Sequence, residues 1–203
     1  MNVISNILYW ISTGLLVPVI VLLIFFFARA LVMVGAYFGQ WSRARKSSVR
    51  LEAAVSSLDK GNAAGALAAL PEKPLTPAEA YGRRLFEAAG DEPKLNLLLS
   101  DFELETEKEI STSKTLTKMG PILGLMGTLI PMGPALVGLA QGDIASMAYN
   151  MQVAFATTVV GLTVSAIGFL TQQGRERRAA ADLSRLEYIA DNLCQTTTKK
   201  NAL

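Results

Sequence analysis

Residues 119–173 decide the fold. They read MGPILGLMGTLIPMGPALVGLA (119–140), a polar break QGDIAS (141–146), then MAYNMQVAFATTVVGLTVSAIGFLTQQ (147–173). No charged side chain lies between Met119 and Gly142, and Asp143 is the only one before Arg175. About 20 apolar residues rising 1.5 Å each cross a hydrocarbon core of ~30 Å, so each arm can span a bilayer and the two form a transmembrane hairpin. The arms are rich in Gly, Ala, Ser and Thr. Small residues let membrane helices approach closely, and hydroxyls can line a polar path.

The rest of the chain agrees with a membrane protein. Of 203 residues, 51% are hydrophobic and only 18% charged, against about a quarter charged in soluble domains. The charge is segregated into a polar middle between uncharged zones. A net charge of +2 gives no reason to expect nucleic acid, and the basic residues flank the apolar zones, where topology explains them. There is one cysteine and no histidine. No internal disulfide, zinc site or other metal site is therefore expected, nor any cofactor, and the commonest proton shuttle is missing. No phosphate-binding glycine loop or nucleophile elbow occurs, and no enzyme activity is expected.

A first span covers Ile7 to Ala28. It lacks a basic leader and an obvious cleavage site, so it is expected to be retained. Tyr9 and Trp10 suit an interface, and Pro18 is a candidate kink. Ile7 to Arg29 is about 33 Å of helix. Arg29 is then either an interfacial anchor or a functional charge in the membrane. Arg43, Arg45, Lys46 and Arg50 follow this span, and Arg175, Arg177, Arg178 and Arg185 follow the hairpin, whereas residues 1–6 and 141–146 carry no Lys or Arg. The positive-inside rule puts the N-terminus outside and residues 42–117 and 174–203 in the cytoplasm.

The cytoplasmic middle is expected to be helical: Ser47 to Lys60, Asn62 to Leu70, and a helix opened by Thr76-Pro77-Ala78-Glu79 and ended at Gly90. From Lys94 to Lys118 there is no Gly or Pro, so one helix could run unbroken into the second span. Its acidic residues Asp101, Glu103, Glu105, Glu107 and Glu109 are either a solvated face or a dock for a neighbouring subunit. In the tail, Ala179, Leu183, Leu186, Ala190 and Leu193 share one helical face, which packs on this chain or on another copy. Cys194 reads as a small apolar filler.

In the second span Gly120, Gly124 and Gly127 form a groove, and Thr128 is the only hydroxyl between Thr117 and Ser146. Pro131 and Pro134 then interrupt the backbone ladder near the outer end, a membrane kink. In the third, Ala154, Thr158, Gly161, Ser165 and Gly168 fall on one face, with Thr157 beside Thr158. Such hydroxyls often bond only their own helix, and such stripes often only pack. The convergence of two grooves, each with a Thr and neither with an ionisable group, favours an ion pathway through Thr128, Thr157, Thr158 and Ser165. Gly120, Gly124, Gly127, Gly161 and Gly168 would pack the helices. A carboxylate for proton transfer must then come from another chain, where burial would raise its pKa.

GPILGLMGTLIPM (120–132) followed by AFATTVVGLTVSAIG (154–168) resembles the MotA/TolQ/ExbB proton-channel family. The resemblance covers residues 92–190, with the first span agreeing in layout. It implies an all-α integral membrane protein with three transmembrane helices, long helices extending into the cytoplasm, and a homo-pentamer. It further implies a dimer of a single-span ExbD/TolR/MotB-like partner with an intramembrane Asp at the centre of the ring. The family's two pore threonines fall on Thr128 and Thr158. Val153 stands where some members carry Glu, and Ile167-Gly168 where many have Pro.

The expected divisions are 1–41 (first transmembrane helix and its extension), 42–117 (cytoplasmic helical region), 118–173 (pore-lining hairpin) and 174–203 (C-terminal helix and tail). The expected function is that of a proton-channel stator subunit in the cytoplasmic membrane of a prokaryote, converting proton motive force into mechanical work together with the single-span partner, with sodium the less favoured ion. The alternative is a non-conducting membrane scaffold of the same fold. A secondary transporter has less support, since neither an inverted repeat nor an intramembrane charge is present.

Overall fold

The computed structural model describes residues 2–201, with the side chains of residues 2, 5, 6 and 196–201 outside that description. Among the described residues the regular structure is helical: α1 (Asn2–Gly14), α2 (Leu16–Asp59), α3 (Ala63–Ala69), α4 (Pro77–Glu87), α5 (Glu92–Ala140) and α6 (Ile144–Asn201). Three segments, Ile7–Asp59, Glu92–Ala140 and Ile144–Gln195, are long and apolar enough to cross a membrane.

The few interruptions have local causes. Pro18 has no N–H for the Gly14 carbonyl, and the helix lapses at Leu15 before the ladder resumes with Val19 N donating to Leu15 O at 3.1 Å. α5 instead continues through Pro121, Pro131 and Pro134. Two helices end in the same hydrogen-bonded motif. At the end of α2, Gly61 (φ +71°) donates to Leu58 O at 2.8 Å and Asn62 to Ser57 O at 3.0 Å. At the end of α5, Gly142 (φ +75°) donates to Leu139 O at 3.1 Å and Asp143 to Gly138 O at 2.8 Å. These are Schellman caps, and the left-handed residue in each is glycine because a Cβ is disfavoured there. Asp143 then caps α6, accepting from Ser146 N at 3.0 Å.

The long helices run further than expected from sequence. The separate helix expected over Ser47–Lys60 is the C-terminal part of α2, which begins at Leu16. The expected tail helix from Gly174 is the continuation of α6. Gly35, Gly39, Gly168 and Gly174 lie inside these helices without ending them; a helical glycine costs only about 1 kcal/mol, which tertiary packing can override.

The chain forms two compact units: Met1–Gly35 with Thr112–Gln172, and Ala36–Ser111 with Gln173–Leu203. In the first, Val19 and Leu23 of α2 meet Leu123 and Ile130 of α5, while Ala30 and Met33 meet Leu116 of α5 and Val164 of α6. α2 shows the least cover, with 17% of its apolar window buried against 39% for α5. It presents Val17, Val21, Ile24, Phe25 and Val32 outward.

The second unit has its own core, built from Leu51 and Ala54 of α2, Ala66 of α3, Tyr81 and Leu85 of α4, Leu95 and Phe102 of α5, and Leu186, Ile189 and Leu193 of α6. The apolar stripe on the tail helix thus packs within its own chain. Thr76 caps α4, and Pro77 occupies its first turn. Glu79, fully buried, accepts from Leu75 N at 2.7 Å and faces Arg50 at 3.4 Å. Ser47 and Thr76 share a hydroxyl hydrogen bond of 2.6 Å. Asp101, Glu103, Glu105, Glu107 and Glu109 are all exposed along α5.

Candidate functional site

α5 and α6 meet along a seam of glycine. A Cβ built at Gly120 would lie 2.6 Å from the Gly161 carbonyl oxygen and 2.9 Å from Ser165 N. One at Gly161 would lie 2.6 Å from Gly120 O and 2.8 Å from Gly124 Cα. One at Gly168 would fall 2.7 Å from Thr117 N. The obstructing atoms are backbone, so the helices approach as closely as they do because these positions have no side chain. Gly127 is filled from across the seam by Thr157, whose Cβ and Oγ1 would both be 2.6 Å from a Cβ there. Gly124 is less confined, its nearest neighbour being Gly161 Cα at 3.5 Å.

Every hydroxyl singled out from sequence donates to a backbone carbonyl. Thr128 Oγ1 donates to Leu125 O at 2.7 Å, and Thr158 Oγ1 to Ala154 O at 3.1 Å. Thr157, buried in the seam, donates to Val153 O at 3.1 Å and Ala154 O at 2.9 Å. Ser165 differs: its Oγ reaches across to Thr117 O at 2.9 Å. Thr117 is four residues before Pro121, so its carbonyl is the one that Pro121 leaves without an intrahelical donor. Ser165 supplies the missing hydrogen bond from the neighbouring helix, which is how a proline is accommodated inside a membrane helix.

Thr128 and Thr158 form a pair apart. The Cβ direction of Gly124 ends 3.7 Å from Thr158 Cα, and Thr128 follows Gly124 by four residues, about one turn. On α5, Leu116, Leu123 and Ile130 turn toward α2 while Gly120, Gly124 and Gly127 turn toward α6. At 100° per residue, Thr128 lies on the opposite flank from α2. The same count on α6, with Val160 and Val164 toward α2 and Thr157 and Gly161 toward α5, puts Thr158 on that flank too. Both are half-buried. With its proton committed to its own backbone, each hydroxyl keeps lone pairs that can accept a hydrogen bond from outside.

Two polar contacts were not foreseen from sequence. Ser113 donates to the Met33 sulfur at 3.3 Å, and Thr171 approaches the same sulfur at 3.9 Å, both buried between helices. The preference for Thr157 over Thr158 in the seam was also hidden. Nothing in the order of two adjacent threonines says which one faces the partner helix. Among the described residues no group of acidic, His or Cys side chains could hold a metal.

Compared with known protein families, residues 87–187 match the model described as the MotA/TolQ/ExbB proton channel family. The match takes in all of α5 and most of α6. No curated protein and no solved structure matches the chain.

Proposed function

With residues 87–187 belonging to the MotA/TolQ/ExbB proton channel family, a channel rather than an enzyme family, we propose that this multi-pass membrane protein is a stator subunit of an ion-driven motor. Copies of the chain, five in the family pattern, surround a dimer of a single-span protein that carries an Asp within the membrane. The assembly sits in the cytoplasmic membrane with N-terminus outside and the polar middle and tail in the cytoplasm. α2 faces lipid, and the flank of the hairpin bearing Thr128 and Thr158 faces the partner. Proton flow does mechanical work through that partner.

The observation that carries this reading is the pairing of Thr128 and Thr158 on the flank away from α2, in a hairpin with no charged side chain between Met119 and Gly142 or between Ile144 and Gly174. A carboxylate brought into that surface has a raised pKa, because the membrane penalises its charged form. Protonated, it has an O–H to donate, and the two threonines offer acceptors for it. Ionised, it gains nothing from hydroxyls whose protons are already committed to Leu125 O and Ala154 O, unless they rotate. The hydroxyls therefore stabilise the neutral acid by about 1 kcal/mol per hydrogen bond. That is modest beside the ~2.3 kcal/mol that each proton releases per 100 mV, so the acid can still discharge.

Thr157 and Ser165 have other work: filling Gly127 and completing the Thr117 carbonyl. Within the proposed pathway they are supports.

Thr158→Val tests the proposal. Co-reconstituted with the single-span partner in liposomes, the variant is expected to assemble normally and lose most of its proton flux. Unchanged flux and unchanged motor output would instead favour a scaffold that holds the partner without conducting.

A further inference from the structure

In the second unit α2 and α6 enclose a basic cleft that the proton pathway does not use. A cavity of about 360 Å³ is lined by Trp41, Arg45 and Ser48 of α2 and by Arg177, Arg178 and Arg185 of α6. Only one carboxylate, Asp182, shares the lining. Asp182 pairs with Arg185 at 3.1 Å, and Arg185 is further held by Glu52 at 2.6 Å. Arg178 lies over the Tyr37 ring, 5.0 Å from its centre, and donates to its hydroxyl at 3.3 Å. Arg45 and Arg177 have no ion pair among the described residues and are exposed at the mouth. An adjoining cavity of about 240 Å³, sharing Arg178 and Asp182, adds Arg43 and Arg175 and one further carboxylate, Glu109. The Nε of Arg175 is buried there without a hydrogen-bond partner.

Several guanidiniums held at one cleft repel one another, and the protein's own acids offset only part of the charge. The missing counter-charge is an anion with several acceptor oxygens, for which arginine's planar fork is suited. Its source follows from the position of the cleft. On α2 the exposed apolar Phe38 is followed within one turn by Trp41, half exposed and amphipathic. On α6 the uncharged run 144–174 ends directly before Arg175. On α2 the apolar sequence continues past Arg29 to Trp41, so the indole and the arginines stand where the uncharged sequence of both helices gives way to charge, the setting of interfacial aromatic and basic residues, and basic pockets between helices there hold anionic lipid. We infer that this cleft binds the phosphodiester headgroup of an anionic phospholipid, with Arg45 and Arg177 as its main contacts and Trp41 at the acyl boundary. The inference requires only that α2 and α6 cross a membrane; it holds whether or not the chain conducts protons.

The full-length protein in mild detergent is melted against added phosphatidylglycerol, phosphatidylcholine or inorganic phosphate, and native mass spectrometry reads retained lipid. Phosphatidylglycerol is expected to stabilise and to be retained, and the other two are not. Arg45→Gln with Arg177→Gln should raise the half-saturating phosphatidylglycerol concentration about 25-fold. That is about fivefold for each guanidinium, from ~1 kcal/mol per basic residue at 1.4 kcal/mol per tenfold. The Lys pair at the same positions should stay within about threefold of the parent. Arg83→Gln, whose guanidinium pairs with Glu87 away from the cleft, should change nothing. If the double Gln variant does not fold, Arg45→Gln alone carries the same test at about fivefold. Equal response to the two lipids, an equal shift by inorganic phosphate, or a Gln variant that binds like the parent would overturn the inference.

Discussion

Removing the Ser165 hydroxyl separates a structural role from a conducting one. Ser165→Ala takes away the hydroxyl donor to the Thr117 carbonyl, a bond of 2.9 Å between α6 and α5. The loss matters because residue 121 is proline and cannot supply an N–H of its own. A carbonyl left unsatisfied away from water costs about 1–3 kcal/mol. Interhelical hydrogen bonds in membranes average nearer 0.6 kcal/mol, with a maximum near 1.7, because relaxation and water recover part of the loss. We expect Ser165→Ala to cost about 0.6–1.7 kcal/mol, roughly 3- to 16-fold in the unfolding equilibrium. Pro121→Ala restores an N–H in register with Thr117 O. In that background Ser165→Ala should cost less than about 0.3 kcal/mol, since the carbonyl already has its helical partner. The double-mutant cycle is measured by equilibrium denaturation in mixed micelles. An equal cost of Ser165→Ala in both backgrounds would refute the compensation. Loss of proton flux with no change in stability in either background would return Ser165 to the ion pathway.

Gly161→Ala and Gly124→Ala share the same gain in helix propensity, so their difference reports the seam. The new methyl at Gly161 meets backbone at 2.6 Å while that at Gly124 has 3.5 Å, and overpacking should leave Gly161→Ala about 1–3 kcal/mol less stable; equal melting of the two would be incompatible with this seam. Glu79→Ala leaves Leu75 N–H and Arg50 without their buried partner, so chemical denaturation should show a loss of about 1–3 kcal/mol. Burial pushes the Asp182 carboxyl above its ordinary range, against the opposing pull of Arg185. The folded state therefore binds the proton more tightly than the unfolded one, and this group's contribution to stability falls as pH rises from about 4 through the raised value. Melting Asp182→Asn beside the parent across that window should remove this part of the pH slope, and identical slopes would count against it. Burial likewise raises the Cys194 thiol, so alkylation at neutral pH should be slower in the native protein than after unfolding; equal rates would contradict it.

Sequence and structure agree where physics is local and part company where it is not. Thr76-Pro77-Ala78-Glu79 was legible as a helix start because a cap is made by neighbours in the chain. The unbroken passage from Lys94 to Lys118 was legible because no residue in it disfavours a helix. The continuity of α2 from Leu16 to Asp59 and of α6 to Asn201 was not, because the charge change after each span looked like a boundary while the backbone has no reason to stop there.

The sequence alone determined that two uncharged arms must leave water together and which small residues they bring to each other, since composition and spacing set the cost of exposure and the distance of approach. Only the tertiary structure decided that Thr157 fills Gly127, that Ser165 serves the carbonyl freed by Pro121, and that Thr128 and Thr158 are left on the flank away from α2. Adjacent residues on a helix point about 100° apart, and which of them turns inward is fixed by the packing of the two neighbouring helices together, information that no single stretch of sequence contains.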